Sequence, residues 1–259
     1  MSNSTVRVIE ILNLLASSSS ALTISEIGKM LDYPKSSVFD VVSELRRLGY
    51  LRFEDELRKT YTIGVNAYQM GQSFLRNSSF YSIAHTAMSH MEKRPEETLF
   101  LAIPDGQYLV YVDKIESSGS VRPHTPVGHR SIQHRSALGR AMLAGNSDAK
   151  VVELVGDPLT GITPFTEIRD LPTLLEELDR IRRRGYSIVT GERTQFMHCV
   201  AAPIRAADES VRAAISVCVI DEDFAPAYCA DIAGRLTATA LTISHQLGYT
   251  KNSLFPLYD

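Results

Sequence analysis

The sequence of 259 residues has no apolar run approaching the ~18 residues that a membrane-crossing helix needs, so no membrane partner is expected. Cysteines are few. Cys199, Cys218 and Cys229 are odd in number and sit in apolar surroundings. That pattern fits reduced thiols in a cytoplasmic compartment better than a disulfide framework. The first twenty residues lack a basic leader followed by an unbroken apolar stretch, because Glu10 and Asn13 interrupt it, and no signal peptide is expected. Net charge is small, −3 at pH 7, which on its own argues against nucleic-acid binding. No nucleophile elbow, phosphate loop or metal-ligand spacing is present, so the expectation is a protein without catalytic residues, cofactor or metal. What remains is 44% hydrophobic and 22% charged, a folded globular composition long enough for one large domain or two modest ones.

Residues 1–64 hold eight Lys+Arg and eight Asp+Glu, so their basic residues matter by position rather than by sum. Val6, Ile9, Leu12 and Leu15, with Val8 and Ile11 beside them, predict an amphipathic helix over 4–16, and Ser17 to Ser20 end it. Thr23 then reads as the N-cap of a short helix, with Glu26 completing a capping box and Ile24, Ile27 and Leu31 on one face. Asp32-Tyr33-Pro34 is a turn. The next helix opens on Lys35, Ser36 and Ser37, buries Val38, Val41, Val42, Leu45 and Leu48, and closes at Gly49. Two short helices joined by a tight turn, the second opening on small and basic residues, make a helix-turn-helix. Its second helix would enter the major groove of double-stranded DNA with its N-terminal half against the bases. Free N–H groups at Lys35 to Ser37 favour a phosphate. YLRFEDELRKTYTIG follows as a hairpin with its turn at Glu54 to Glu56. Placed there it is a wing, and Arg52, Arg58 and Lys59 would run along the DNA backbone, as would Arg46 near the helix end.

Residues 65–79 read as a helical linker with a break at Asn77-Ser78-Ser79, and a further helix runs to Pro95. Met70, Phe74, Tyr81, Ile83, Met88 and Met91 offer too much apolar surface for an isolated linker, so part of it is expected at a dimer contact. Residues 80–259 form the second domain. TLFLAIPDGQYLVYVDKIESS predicts two strands joined at Pro104-Asp105-Gly106. Residues 119–135 read as a loop or irregular strand, followed by a short helix capped by Ser136 and another over 148–155. A helix ends at Gly185, strands cover 186–191, 199–205 and 211–220, and a closing helix spans about 226–247. Antiparallel strands with helices beside them indicate an α+β domain.

The chain resembles the IclR family of bacterial transcription regulators over nearly its full length. LTISEIGKMLDYPKSSVFDVVSELRRLGYL is similar to that family's helix-turn-helix, and YTIGVNAYQMGQSF to its wing exit and linker helix. RSALGRAMLA, LDRIRRRGYSIVTGE and CVAAPIRAADESVRAAISV are similar to its C-terminal blocks, in the same order. The resemblance implies a winged helix-turn-helix, a helical linker and a GAF-like effector-binding domain with an antiparallel sheet. It also implies a homodimer or homotetramer that acts as repressor or activator under a small organic-acid effector. Its pocket carries over to Ala137 and Leu138, to Met197 and Cys199 with Phe196 in the loop before them, and to Ser216 and Cys218. There are departures. In the recognition helix Phe39 and Asp40 stand where His or Tyr and then Arg are common; Asp40 can accept from a cytosine amino group and Phe39 can meet a thymine methyl or belong to the core. Phe196 stands where a glycine is usual, which should shrink the cavity, and Val189 replaces a common acidic residue.

His124, His129, His134 and His198, with Arg122, Arg130 and Arg135, crowd this region. They read as an exposed polar loop, as a basic mouth for acids, or as a metal site with Cys199. A thiol enzyme using Cys199 with His198 or His134 is the rival class. Adjacent strand residues point to opposite faces, which removes the His198–Cys199 dyad. A regulator of this fold that answers to a protein partner without any effector is the other alternative.

Overall fold

The computed structural model describes residues 4–76, 79–156, 158–160, 168–191, 196–222 and 224–255. Asn77 and Ser78, where the linker break is expected, lie outside them. The chain divides into two units, Met1–Ser79 and Phe80–Asp259.

The first unit runs α1 (Ser4–Ser17), β1 (Leu22–Thr23), α2 (Ile24–Leu31), α3 (Lys35–Arg47), β2 (Leu51–Asp55), β3 (Thr60–Ile63) and α4 (Val65–Arg76). Its core joins Ile11 and Leu15 of α1 to Ile27 of α2, Val38, Val42 and Leu45 of α3, and Leu22, Leu51 and Tyr61 of the strands. The capping box forms as the sequence predicts. The Thr23 N–H donates to Glu26 Oε2 at 2.7 Å and the Glu26 N–H to Thr23 Oγ1 at 3.3 Å. The Thr23 N–H and the Thr23 hydroxyl, which also donates to Glu26 Oε2 at 2.8 Å, hold the Glu26 carboxyl below the usual carboxylate range.

Three local expectations change. Leu22 and Thr23 pair with Tyr61 and Thr60, adding a third strand that no period over two residues could announce. The hairpin turn lies beyond Glu54, which belongs to β2; Asp55 Oδ1 accepts from the N–H groups of Leu57 and Arg58 at 2.9 and 3.0 Å, and Lys59 takes a φ of 52°. Leu48, expected in the core, is exposed because α3 ends at Arg47 and Leu48 is its C-cap.

The second unit contains α5 (Ser79–His90), β4 (Thr98–Asp105), β5 (Tyr108–Ile115), β6 (Arg130–Ile132), a 3-10 turn at Gln133–Arg135, α6 (Ala137–Ala144), α7 (Asp148–Val155), α8 (Leu171–Arg184), β7 (Ser187–Thr190), β8 (Met197–Arg205), β9 (Val211–Ile220) and α9 (Pro226–Gln246). Its strands form one antiparallel sheet in the order β6-β5-β4-β9-β8-β7. The α+β architecture is the one expected. Pro104 and Asp105 prove to be strand residues opposite Leu109 and Tyr108, which leaves Gly106 and Gln107 as the turn, with Gly106 at φ 58°.

Helices α6 and α9 both lie against β8 and β9. From Met197 to Ile204, odd-numbered residues of β8 and their even-numbered partners in β9 share the α6 face and their neighbours face α9; past the register shift at Ile204, Val211 packs on the α6 side. Phe100, Tyr111, Val189, Ala201, Ala214 and Cys218 pack with Ala137, Leu138, Ala141 and Met142 in one buried cluster. Helix α6 approaches the 3-10 turn so closely that a Cβ on Gly139 would stand 2.0 Å from the Gln133 carbonyl oxygen. Ser136 caps α6 by accepting from the Gly139 N–H at 3.1 Å.

Buried charge is matched. Glu97 has no exposed surface and accepts from Arg235 at 2.7 and 3.0 Å, from the Arg94 N–H at 3.1 Å and from the Tyr228 hydroxyl at 3.0 Å. These bonds tie the segment before β4 to α9, and burial, with the Glu97 charge next to it, pushes the Tyr228 phenol above its ordinary range. Removing one partner of such a pair leaves an uncompensated charge, so Arg235→Ala should cost about 3–5 kcal/mol in urea unfolding; a loss like that of a surface substitution would contradict this.

His134 is 1% exposed, and among the described residues neither ring nitrogen makes a hydrogen bond. Burial pushes its pKa from 6.5 down to about 4, against the Thr160 backbone and with the help of the Arg140 and Arg135 charges. The unfolded chain therefore binds a proton below pH 6.5 that the folded chain refuses until about pH 4. Stability present above pH 6.5 is lost across that window, on the order of 3 kcal/mol for this one group. Between pH 7 and pH 4 the protein should lose that much more than His134→Leu in urea titrations, and equal losses would contradict the assignment.

Candidate functional site

In the first unit, a groove opens between one face of α3 and the hairpin. Lys35, Phe39, Ser43 and Arg46 of α3 line it, with Phe53, Arg58, Lys59 and Tyr61 of the hairpin and Thr23 to Ser25 at the head of α2. Phe39 is 55% exposed, so it belongs to this surface and not to the core. The Arg46 guanidinium stacks on Phe53 at 4.7 Å from the ring centre, which holds a cation at the groove wall. Ser36, Asp40 and Arg52 are exposed, and Ser37 half-buried, outside the groove lining. Arg52 pairs with Glu54 at 2.8 Å, and Arg58 with Asp55 at 3.7 Å. The N-terminus of α3 has no side-chain cap, since Pro34 occupies that place. Its free N–H groups can therefore meet a phosphate. Ser25 and Ser43 were missed by the sequence reading. Ser43 lies on the same face of α3 as Phe39, which helical spacing could have revealed.

The second unit holds a small cavity on the α6 face of the sheet. Of the residues expected there, Ala137, Leu138, Met197, Cys199, Ser216 and Cys218 line it. Phe196 does not. Its backbone turns at φ 67° and its carbonyl accepts from the Asp221 N–H at 2.9 Å, leaving the ring 38% exposed. The expectation that this ring narrows the cavity is thus corrected: a bulky residue takes the left-handed backbone usual for glycine but sends its side chain elsewhere. Phe100, Tyr111, Pro123, Thr125, Arg135, Ser136 and Val189 complete the lining. Phe100 and Tyr111 meet edge to face at 5.4 Å and 80°, forming an aromatic wall. Among the described residues Arg135 is the one positively charged side chain in the lining, accompanied by the hydroxyls of Tyr111, Thr125, Ser136 and Ser216. The strand period could have located Phe100 and Tyr111, although not the face that the cavity occupies.

The histidines do not act together. His134 is buried and uncharged, and His129 packs against Tyr111 at 5.9 Å. His198 lies on the α9 face, stacked on Phe224 at 4.2 Å and bonded through Nε2 to the Asp221 carbonyl at 2.9 Å. Cys199 opens into the cavity on the other face, so the pair cannot act as nucleophile and base. Among the described residues no three His, Cys, Asp or Glu side chains converge on a common point. Arg130 covers the Tyr108 ring at 3.9 Å and pairs with Asp105 at 2.8 Å, while Arg122 pairs with Glu116 at 2.8 Å. Only Arg135 of the basic group reaches the cavity. Among the described residues no helix is long and apolar enough to cross a membrane.

Comparison with known proteins bears on both units. Residues 4–55 match the model of the IclR helix-turn-helix domain, and residues 72–245 match that of the bacterial transcriptional regulator IclR C-terminal domain. The HTH-type transcriptional regulator BhcR of Paracoccus denitrificans is 32% identical over 212 residues, covering 82% of this chain and 75% of that protein. The crystal structure of Thermotoga maritima IclR superposes with a TM-score of 0.76 at 27% identity, covering 95% of this chain and 99% of that one. An IclR homologue from Microbacterium hydrocarbonoxydans, crystallised with 4-hydroxybenzoate, has the same fold, with a TM-score of 0.79, 24% identity and coverage of 95% and 99%. A winged helix-turn-helix with an uncapped recognition helix, followed by an antiparallel sheet with a cavity under α6, is thus found in the setting of both domain models, and the chain belongs to the IclR family of transcriptional regulators.

Proposed function

We propose that this regulator binds operator DNA through the α3–wing groove and is controlled by a small organic acid held in the cavity beneath α6. The observation that carries the reading is the cavity's composition: among the described residues one cation, Arg135, and the hydroxyls of Tyr111, Thr125, Ser136 and Ser216, in a lining whose apolar side chains include Phe100, Leu138 and Val189. A lone cation among apolar walls favours an anion with a compact apolar body. Val189 adds to this preference, because an acidic side chain there would repel a carboxylate. The homologue crystallised with 4-hydroxybenzoate supports an acid of that size. Ligand binding would shift the operator-competent population of the protein, with a coupling of typically ~1–3 kcal/mol.

The proposal includes a homodimer or homotetramer, since helix-turn-helix proteins usually read paired half-sites. Val65, Tyr68, Met70 and Phe74 of α4 are each more than half exposed, an apolar surface suited to pairing with a second copy. The DNA contacts are assigned by chemistry. Lys35, Arg58 and Lys59 meet phosphates, and Phe39 meets a base edge.

Two outcomes follow for the two halves. On an operator selected from random DNA, Lys35→Ala should weaken binding to every sequence and reduce the slope of log affinity against log salt by about 1. Phe39→Ala should instead leave the slope unchanged and reorder the preferred sequences; a uniform loss from Phe39→Ala would count against its assignment. In a thermal-shift screen of small organic acids, a ligand at about 100 times its Kd should raise Tm on the order of 5 °C. Arg135→Ala should abolish that rise and Phe196→Gly should keep it. A panel in which no acid moves Tm would favour a regulator without an effector.

A further inference from the structure

Two of the three cysteines meet across the cavity floor. Cys199 of β8 and Cys218 of β9 are direct partners in the antiparallel register, and both line the cavity. Two backbone bonds identify the kind of pair. The Asp221 N–H donates to the Phe196 carbonyl, so Phe196 bonds toward β9. The Gly191 N–H donates to the Met197 carbonyl, so Met197 bonds toward β7. Alternate residues of a strand bond to the same side, and Cys199 therefore bonds toward β7, opposite Val189. Between β8 and β9 the two cysteines form a non-hydrogen-bonded pair. In such pairs the Cα atoms stand about 4.5 Å apart and the side chains approach most closely. That spacing falls within the ~4.4–6.8 Å that a disulfide accepts.

We propose that Cys199 and Cys218 form an oxidisable dithiol, a covalent modification site on which a hydroperoxide closes a reversible cross-strand disulfide. Its chemistry stands on the strand register; only its effect on regulation rests on the reading of this cavity as the effector site. Cys199 is the more accessible of the two, while Cys218 is buried with its sulfur 4.0 Å from Ser216 Oγ. The Cys199 thiolate attacks the peroxide, the O–O bond breaks, an alcohol or water leaves and a sulfenic acid remains. The Cys218 thiol then attacks that sulfur, the S–S bond forms, the S–O bond breaks and water departs. A thiol reductant returns two electrons and two protons and restores both cysteines. The closed disulfide removes two thiols from the cavity lining and draws its floor together beside Ser216.

Cys229 supplies an internal control. It lies on α9, away from the cavity lining, where it contacts Tyr186 and burial pushes its thiol up. It should therefore present little thiolate to an oxidant.

The test treats the full-length protein with hydrogen peroxide, blocks remaining thiols, and maps peptides by mass spectrometry with and without dithiothreitol. The expected result is a dithiothreitol-sensitive peptide joining Cys199 to Cys218 within one chain. It should be lost in Cys199→Ser and Cys218→Ser and kept in Cys229→Ser. Phenylarsine oxide, which needs two adjacent thiols, should bind the untreated protein once per chain in a measurement that requires no variant. Sulfinic acid on Cys199 with Cys218 still reduced, a disulfide between chains, or no phenylarsine oxide uptake would each overturn the proposal. Thermal shift by an organic acid before and after oxidation is the separate regulatory readout: a normal cross-link with no acid response in either state would sink the effector reading and leave the dithiol standing.

Discussion

The pairing of β8 with β9 is the constraint on which the rest of the second unit depends. Eight consecutive partners, from Met197↔Ile220 to Ile204↔Ala213, followed after a register shift by Arg205↔Val211, decide which side chains meet α6 and which meet α9. Because side chains alternate along a strand, a slip of β8 by one residue against β9 would send Cys199 toward α9 and bring His198 into the cavity. The register is held at both ends. At one end Phe196 and Asp221 are joined by a backbone bond, and at the other the Arg205 N–H donates to Ser244 Oγ of α9 at 3.0 Å. The cavity is thus a consequence of strand alignment as much as of the residues that line it.

Helix α6 closes the cavity from above, and its position is over-determined. Gly139 admits the 3-10 turn at backbone distance, and Arg140 Nε donates to the His134 carbonyl at 2.8 Å. Arg182 of α8 donates to the carbonyls of Ala144 and Asn146 at 3.0 and 2.7 Å, which satisfies the end of the helix. These bonds draw arginines into the interior, where each guanidinium must be matched by carbonyl or carboxylate oxygens. Arg135, in the 3-10 turn that leads into the same helix, stays half-exposed beside the cavity. A fixed helix start next to one available cation is a sound base for recognising an anion, because little must be ordered when the ligand arrives.

Local signals in the sequence proved reliable where the physics is local. The Thr23–Glu26 capping box spans three residues, Ser136 caps over three residues, and Gly185 ends α8 in a left-handed conformation. Each depends on its immediate neighbours and could be read directly. Signals that needed a partner from far along the chain were incomplete. Leu22–Thr23 became a strand only because β3 supplied an edge, and His134 lies buried and neutral with the backbone of Thr160, 26 residues further along the chain, at its ring. Phe196 shows both sides. Its unusual place in the chain was visible in the sequence, yet the direction of its ring follows from a backbone turn tied to Asp221.

The sequence by itself determined the type of protein: a helix-turn-helix opened by Lys35 and Ser37, a hairpin behind it, and a second domain of alternating strands and capped helices. It did so because helix caps, turns and hydrophobic periods are set within a few residues. The tertiary structure alone decided which side chains share a surface. It separated His198 from Cys199, released Phe196 from the cavity, kept Arg135 at its edge and set Cys199 against Cys218. Those outcomes follow from strand register and helix docking, in which residues distant in sequence come within a few ångströms, and no local pattern encodes that distance.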